Sequence, residues 1–268
     1  MALKDITLGQ YFPGNSFIHQ LDPRTKLLFT VLYIVALFSA KRLPSYLLLM
    51  AVLAVCIQIS RVRLKTILRG MKPILFIIVL TAILNLFYTP GDPIWQWKFL
   101  KITVEGIWAA IYMVLRISML ITCTFLLTYT TSPILLTDGL EKLLGPLKKL
   151  RVPVPELSMM MSLALRFIPT LIEETDKIMS AQKARGADFD TGNLFQKARA
   201  LVPLLVPLFI SAFRRADELA IAMECRCYHG GEGRTRLRQL IFVRRDYLAL
   251  AGSIFMVAAV YVLRYLGW

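Results

Sequence analysis

Apolar and polar residues along this chain separate into blocks. Apolar runs fill residues 27–40, 46–59, 73–88, 107–129 and 248–266. A helix needs about 20 residues, at about 1.5 Å each, to cross roughly 30 Å of hydrocarbon. The first three runs are short and need tilt or flanking residues to reach across. The pattern predicts an all-α membrane protein with about five transmembrane helices. It divides the chain into an N-terminal membrane region, 1–130, with about four spans, a cytoplasmic helical region, 131–245, and a C-terminal span, 246–268.

Region 131–245 carries eighteen Lys/Arg and twelve Asp/Glu, the balance of a soluble domain, yet it is strongly apolar. From Leu157, apolar side chains recur at 160, 161, 164, 165, 168, 171, 172, 178 and 179, while Glu173, Glu174, Asp176 and Lys177 fill the other side. That spacing is the stripe of a long amphipathic helix. A second is expected over roughly 195–227, apolar at its start (ALVPLLVPLFISAF) and mixed at its end (RRADELAIAMECRC). Each would be roughly 45 Å long. A shorter amphipathic piece covers 133–150, and Gly145-Pro146 with the following VPVP breaks the chain. Pro169, Pro203 and Pro207 fall inside the long helices and should bend them. Both helices are expected at or under the membrane, one face in lipid or against another membrane protein and the other toward the cytosol.

The two long helices end alike. Asp176-x4-Ala181-x3-Arg185 matches Asp217-x4-Ala222-x3-Arg226. An arginine in a last helical turn complements the negative end of the helix dipole, which is one account of both. The sequences that follow, GADF and YHGG, are small and turn-forming, and leave each arginine projecting from a tip. A guanidinium there can enter a groove on a partner, where its planar fork reaches several acceptors. Two tips imply two receiving sites.

Composition agrees with the membrane reading: 57% of residues are hydrophobic, well above a soluble domain. The net charge of +15 is spread between apolar runs, so no nucleic-acid partner is expected. Arg61, Arg63, Lys65, Arg69 and Lys72 mark the loop after the second run as cytoplasmic, and the Trp-bearing TPGDPIWQWKFLK loop lies outside. Alternation then puts the N-terminus and 131–245 inside and the C-terminus outside. No cleaved signal peptide is expected, since no early apolar core precedes a small-residue cleavage site. Cys56 and Cys123 sit in apolar runs as small hydrophobes. Cys225-x-Cys227-x-His229 offers three ligands where a structural zinc takes four, so no metal site is expected.

Absent motifs narrow the function further. The chain has no Gly-x4-Gly-Lys-Ser/Thr loop for ATP, no Ser/His/Asp triad and no intramembrane carboxylate pair. It is not expected to be an enzyme or to hold a cofactor. Arg116 lies inside the fourth run and Glu105 at its mouth. An intramembrane arginine marks a transport path or bonds helix-end carbonyls. The first reading supports an alternative, a stand-alone secondary transporter using Arg116 and Glu105.

Three segments carry a family resemblance: LDPRTKLL (21–28), ALRFIPTLIEETDKIMSAQKARGADF (164–189) and AMECRCYHGGEGRTR (222–236). With them the chain resembles, over essentially its whole length, the transmembrane T component of energy-coupling factor (ECF) transporters, the EcfT/CbiQ-like proteins of prokaryotic vitamin and metal uptake. The resemblance implies a multi-pass protein of the prokaryotic cell membrane, with two long cytoplasmic coupling helices ending in X-Arg-X motifs. Those motifs dock into two ABC-type ATPase subunits, identical or different, which use the ATP. Here they are Ala184-Arg185-Gly186 and Cys225-Arg226-Cys227, where the family often has Ala in place of Cys225. A membrane-embedded S component binds the substrate and rests on the coupling helices. Met159, Met160, Met161 and Met179 are candidates to face it, since flexible thioethers suit a surface that repacks.

Overall fold

The computed structural model describes residues 11–90, 93–97, 100–187, 189, 193–230 and 239–266. Helix α1 (Pro23–Ser39) starts with the Asp22 carboxylate accepting the Arg24 N–H at 2.9 Å. Pro23 takes the first-turn position, where its missing N–H leaves nothing unpaired. Helix α2 (Leu43–Ser60) closes on Arg61 in the left-handed conformation. The basic stretch expected as a loop is largely helical, as α3 (Leu64–Met71). A 3-10 turn at Lys72–Ile74, which holds Pro73, leads from it into α4 (Leu75–Tyr88).

The loop expected to follow α4 contains a two-stranded antiparallel hairpin, β1 (Pro93–Trp97) and β2 (Leu100–Thr103), with Gln96 opposite Lys101. Helices α5 (Val104–Thr130) and α6 (Pro133–Leu144) follow, and a 3-10 segment (Gly145–Leu150) joins them to α7 (Val154–Ala184). Then come α8 (Leu194–Glu224) and α9 (Arg244–Tyr265). Among the described residues, four helical segments are long and apolar enough to cross a membrane: α2, Leu64–Tyr88, α5 and α9. Helix α1, expected as another span, has 17 residues, roughly 25 Å at about 1.5 Å each. Unaided, it falls short of the hydrocarbon thickness.

The chain divides into two compact units. One, Gly9–Leu143 with Leu240–Trp268, holds all the apolar spans. Its core is narrow: Tyr33 and Leu37 from α1, Leu49 from α2, Met119 and Cys123 from α5, and Val260 from α9. Close approach of α5 to the end of α4 requires Gly106, because a Cβ there would lie 2.8 Å from the Leu86 carbonyl oxygen. Outside the core, apolar side chains stand exposed, with Phe76 at 74% and Phe255 at 76%. Such a surface is an aggregation liability in water and the ordinary exterior of a membrane protein in lipid.

The other unit contains α7 and α8, each 31 residues long and each with proline in its interior. They run in opposite directions where they touch. Arg215 of α8 pairs with Glu174 of α7, and farther along α7 the Gln182 amide donates to the Pro203 carbonyl of α8 at 3.5 Å. One side of α8 remains open, with Val202, Leu205, Val206, Phe209, Ile210 and Phe213 exposed.

Candidate functional site

The two arginine tips close with the same hydrogen bonds. At the end of α7, the Gly186 N–H donates to the Lys183 carbonyl at 3.0 Å and the Ala187 N–H to that of Gln182 at 3.0 Å. At the end of α8, the Cys227 N–H donates to the Glu224 carbonyl at 2.9 Å and the Tyr228 N–H to that of Met223 at 3.1 Å. Both pairs form the 5→2 and 6→1 bonds of a Schellman cap, which needs a left-handed residue just past the helix. Gly186 (φ 87°) fills that position on α7 and Cys227 (φ 54°) on α8.

The matched residue before it is Arg185 or Arg226. The two cap N–H groups beyond each helix take two of its last four carbonyls, so each turn closes without its guanidinium. Both arginines are exposed, as are Ala184, Gly186, Cys225 and Cys227 beside them. Neither guanidinium bonds another side chain among the described residues. The stretch of α8 from Pro203, beside Gln182, to Arg226 covers roughly 35 Å at about 1.5 Å per residue. The tips are therefore well separated. Among the described residues, no three His, Cys, Asp or Glu side chains form a metal-holding cluster.

Of the four methionines on α7, Met160 and Met161 are exposed, and Met159 and Met179 are half-buried. Arg116 is engaged within the membrane unit. Its Nε and Nη2 donate to the Tyr46 hydroxyl at 3.1 and 2.7 Å, and Nη2 reaches the Ala40 carbonyl, at the end of α1, at 3.4 Å. Its guanidinium lies over the Phe38 ring, 5.6 Å from the centroid. Glu105 is exposed in the first turn of α5, roughly 16 Å along the axis at about 1.5 Å per residue. Arg116 thus bonds a helix-end carbonyl and a neighbouring hydroxyl, which leaves the secondary-transporter alternative without its charge pair.

Sequence reasoning missed a latch between the starts of α1 and α9. Asp246, 2% exposed, accepts the Asp22 N–H on Oδ1 and the Val243 N–H on Oδ2, both at 2.8 Å. Arg24 pairs with Asp22 at 2.9 Å, donates to the Leu240 carbonyl at 2.8 Å and lies over the Phe242 ring. The available signal was a carboxylate in the first turn of an apolar span, which must find donors when buried. Nearby, His19 sits between Ser16 Oγ at 2.6 Å on Nδ1 and the Phe12 carbonyl at 3.1 Å on Nε2. Burial, aided by Lys26, lowers its pKa and offsets the opposing pull of the Phe12 carbonyl. A neutral ring with the proton on Nε2 satisfies both contacts.

This architecture first defines a class: a multi-spanning, all-α membrane protein with a separate pair of long helices tipped by matched arginines. Comparison with known proteins supplies the family. The CbiQ family model, described as cobalt transport protein, matches residues 14–237. A protein of Ruminiclostridium cellulolyticum named energy-coupling factor transporter transmembrane protein EcfT is 52% identical over 263 residues, 98% of each chain. Proteins of the same name are 56% identical in Clostridium kluyveri, over 92% of each chain, and 47% identical in Bacillus subtilis, over 98% of this chain and 99% of its own. The chain belongs to the family of ECF transporter transmembrane T components.

Proposed function

We propose that the chain is the coupling subunit of an ECF-type ABC importer in the prokaryotic plasma membrane. Arg185 and Arg226 dock into grooves on two ATPase subunits, and the chain itself holds no nucleotide. ATP binding and hydrolysis in those partners change their separation. Helices α7 and α8 carry that displacement to a membrane S component, which releases a vitamin or metal ion into the cytosol. The N-terminus and both tips then lie on the cytosolic side, as the basic loops favour.

The observation that carries this reading is the matched closure of the two helix ends. Each presents an exposed guanidinium between exposed small neighbours, on a turn closed by backbone alone. A planar, permanently charged fork at a stiff tip suits a groove lined with carbonyl and carboxylate acceptors. The exposed face of α8 and the α7 methionines offer the apolar surface that an S component needs.

Co-purification of the tagged chain with its native partners tests the reading, with ATPase activity measured on each eluate. Wild type should bring down ATPases and a small hydrophobic protein. Arg185→Ala should weaken docking by about 2–5 kcal/mol, as expected when one partner of a buried charged contact is removed. Arg185→Lys should not fully restore it, since the fork geometry is lost. Equal ATPase recovery from wild type and the Arg185→Ala/Arg226→Ala double variant would sink the proposal.

A further inference from the structure

The membrane unit contains two neighbouring cavities, one almost wholly apolar and one that carries arginines. A cleft of about 540 Å³ opens between α1, α2, α5 and α9, with apolar walls that include Phe29, Val52, Val55 and Leu126. That volume falls within the roughly 300–1,000 Å³ of small-ligand sites. A second cavity, about 430 Å³, has a mixed lining in which Phe12 and Val62 stand beside His19, Ser60, Arg61 and Arg63. The two share walls: along the N-terminal segment Phe17 and Ile18 face the first while Ser16 and His19 face the second, and at the end of α2 Ile59 faces the first while Ser60 faces the second.

Three polar residues of the apolar cleft stand at helix ends, beside the segment that leads into the basic pocket. Thr25 and Lys26 belong to the first turn of α1 and Thr130 is the last residue of α5. The Lys26 ammonium donates to the His19 carbonyl at 3.1 Å and the Thr130 carbonyl at 2.9 Å, which leaves its third proton for another acceptor. Thr25 Oγ1 is buried with no partner among the described residues, a deficit that native structures seldom leave unfilled. Arg61 adopts φ 57°, where glycine is the ordinary residue, so the chain keeps a cation where the backbone favours none. Neither Arg61 nor Arg63 pairs with a carboxylate among the described residues.

An apolar slot in a bilayer, with an unfilled hydroxyl and an ammonium at one end and two arginines beyond, matches one kind of occupant. We propose that this unit holds one anionic glycerophospholipid, an acyl chain in the cleft, its ester oxygens by Thr25 and Lys26, and its phosphate between Arg61 and Arg63. The amphiphile needs both cavities at once. A free anion would use only the basic pocket, and a hydrocarbon only the cleft.

Two variants separate the halves without touching the core. Arg61→Gly with Arg63→Gln removes the cations and relieves the left-handed residue. Gly252→Leu fills the cleft, since Gly252 lines it and a Cβ there meets no atom within 4 Å. Full-length chain is reconstituted in vesicles of phosphatidylcholine and phosphatidylglycerol, extracted in detergent and examined by native mass spectrometry. Wild type should keep one phosphatidylglycerol per chain, also in the presence of inorganic phosphate. Each variant should lose about tenfold in the lipid-bound fraction, the effect of removing about one good contact, while its melting temperature stays at or above that of wild type. Equal retention in wild type and both variants overturns the site. So does phosphatidylcholine held as firmly as phosphatidylglycerol, or displacement of the lipid by inorganic phosphate, which marks a free-anion pocket.

Discussion

At the scale of single residues, the two tips differ where they should agree most. Gly186 enters the left-handed region without cost, whereas Cys227 enters it against the steric clash of its own Cβ, a strain of about 1–2 kcal/mol. Cys227→Gly should therefore stabilise the end of α8 by about 1 kcal/mol. Amide exchange at Cys227 and Tyr228, whose N–H groups close the cap, should slow by about fivefold. Gly186→Ala should do the reverse at Gly186 and Ala187, since open space around Gly186 leaves backbone strain as the only penalty. Unchanged exchange in both would show that the caps open for another reason. The sequence made only one of these positions legible: glycine after a helix is a known signal, and cysteine has no preference that announces a left-handed turn. What revealed the second tip was its register with the first, through Asp176 and Asp217, Ala181 and Ala222.

Among helices and their junctions, legibility followed length. Runs such as 107–129 and 248–266 read correctly as helices because apolarity over five or six turns has few other uses. Short elements did not. The stretch 64–71 is charged enough to read as loop, yet Leu64, Lys65, Leu68 and Arg69 are good helix formers, and Ile67 is buried. The hairpin over 93–103 escaped because its strands hold five and four residues and the first begins with proline. The junction of α1 and α9 depends on residues 224 positions apart, which no local pattern encodes. Asp246→Ala would leave two N–H donors, those of Asp22 and Val243, without their acceptor. At about 1–3 kcal/mol for each unsatisfied buried group, about 3 kcal/mol should be lost. Thermal unfolding of the detergent-solubilised chain measures it; a melting temperature like that of wild type would mean that water reaches the junction.

For the whole molecule, the question is whether α7 and α8 transmit force or only hold partners. A lever must be stiff between the point that is pushed and the point that responds. Helix α8 is tied to α7 by the Arg215–Glu174 pair, and from there about three turns, roughly 16 Å, lead to Arg226. Ala216 and Ala220 lie in that stretch, and both are exposed. Ala216→Gly with Ala220→Gly removes no buried contact and keeps the tip, but weakens the helix by about 1 kcal/mol per glycine. If α8 is a lever, the complex should still assemble and hydrolyse ATP, while substrate taken up per ATP falls several-fold as the softened turns absorb the stroke. Reconstituted complex, with uptake and hydrolysis measured on the same vesicles, gives that ratio directly. A ratio equal to that of wild type would mean that α8 serves as an anchor and that the displacement reaches the bilayer through α7 alone. A complex that no longer assembles would instead place the stretch from Ala216 to Ala220 within the docking surface, extending it nearly three turns back from the arginine.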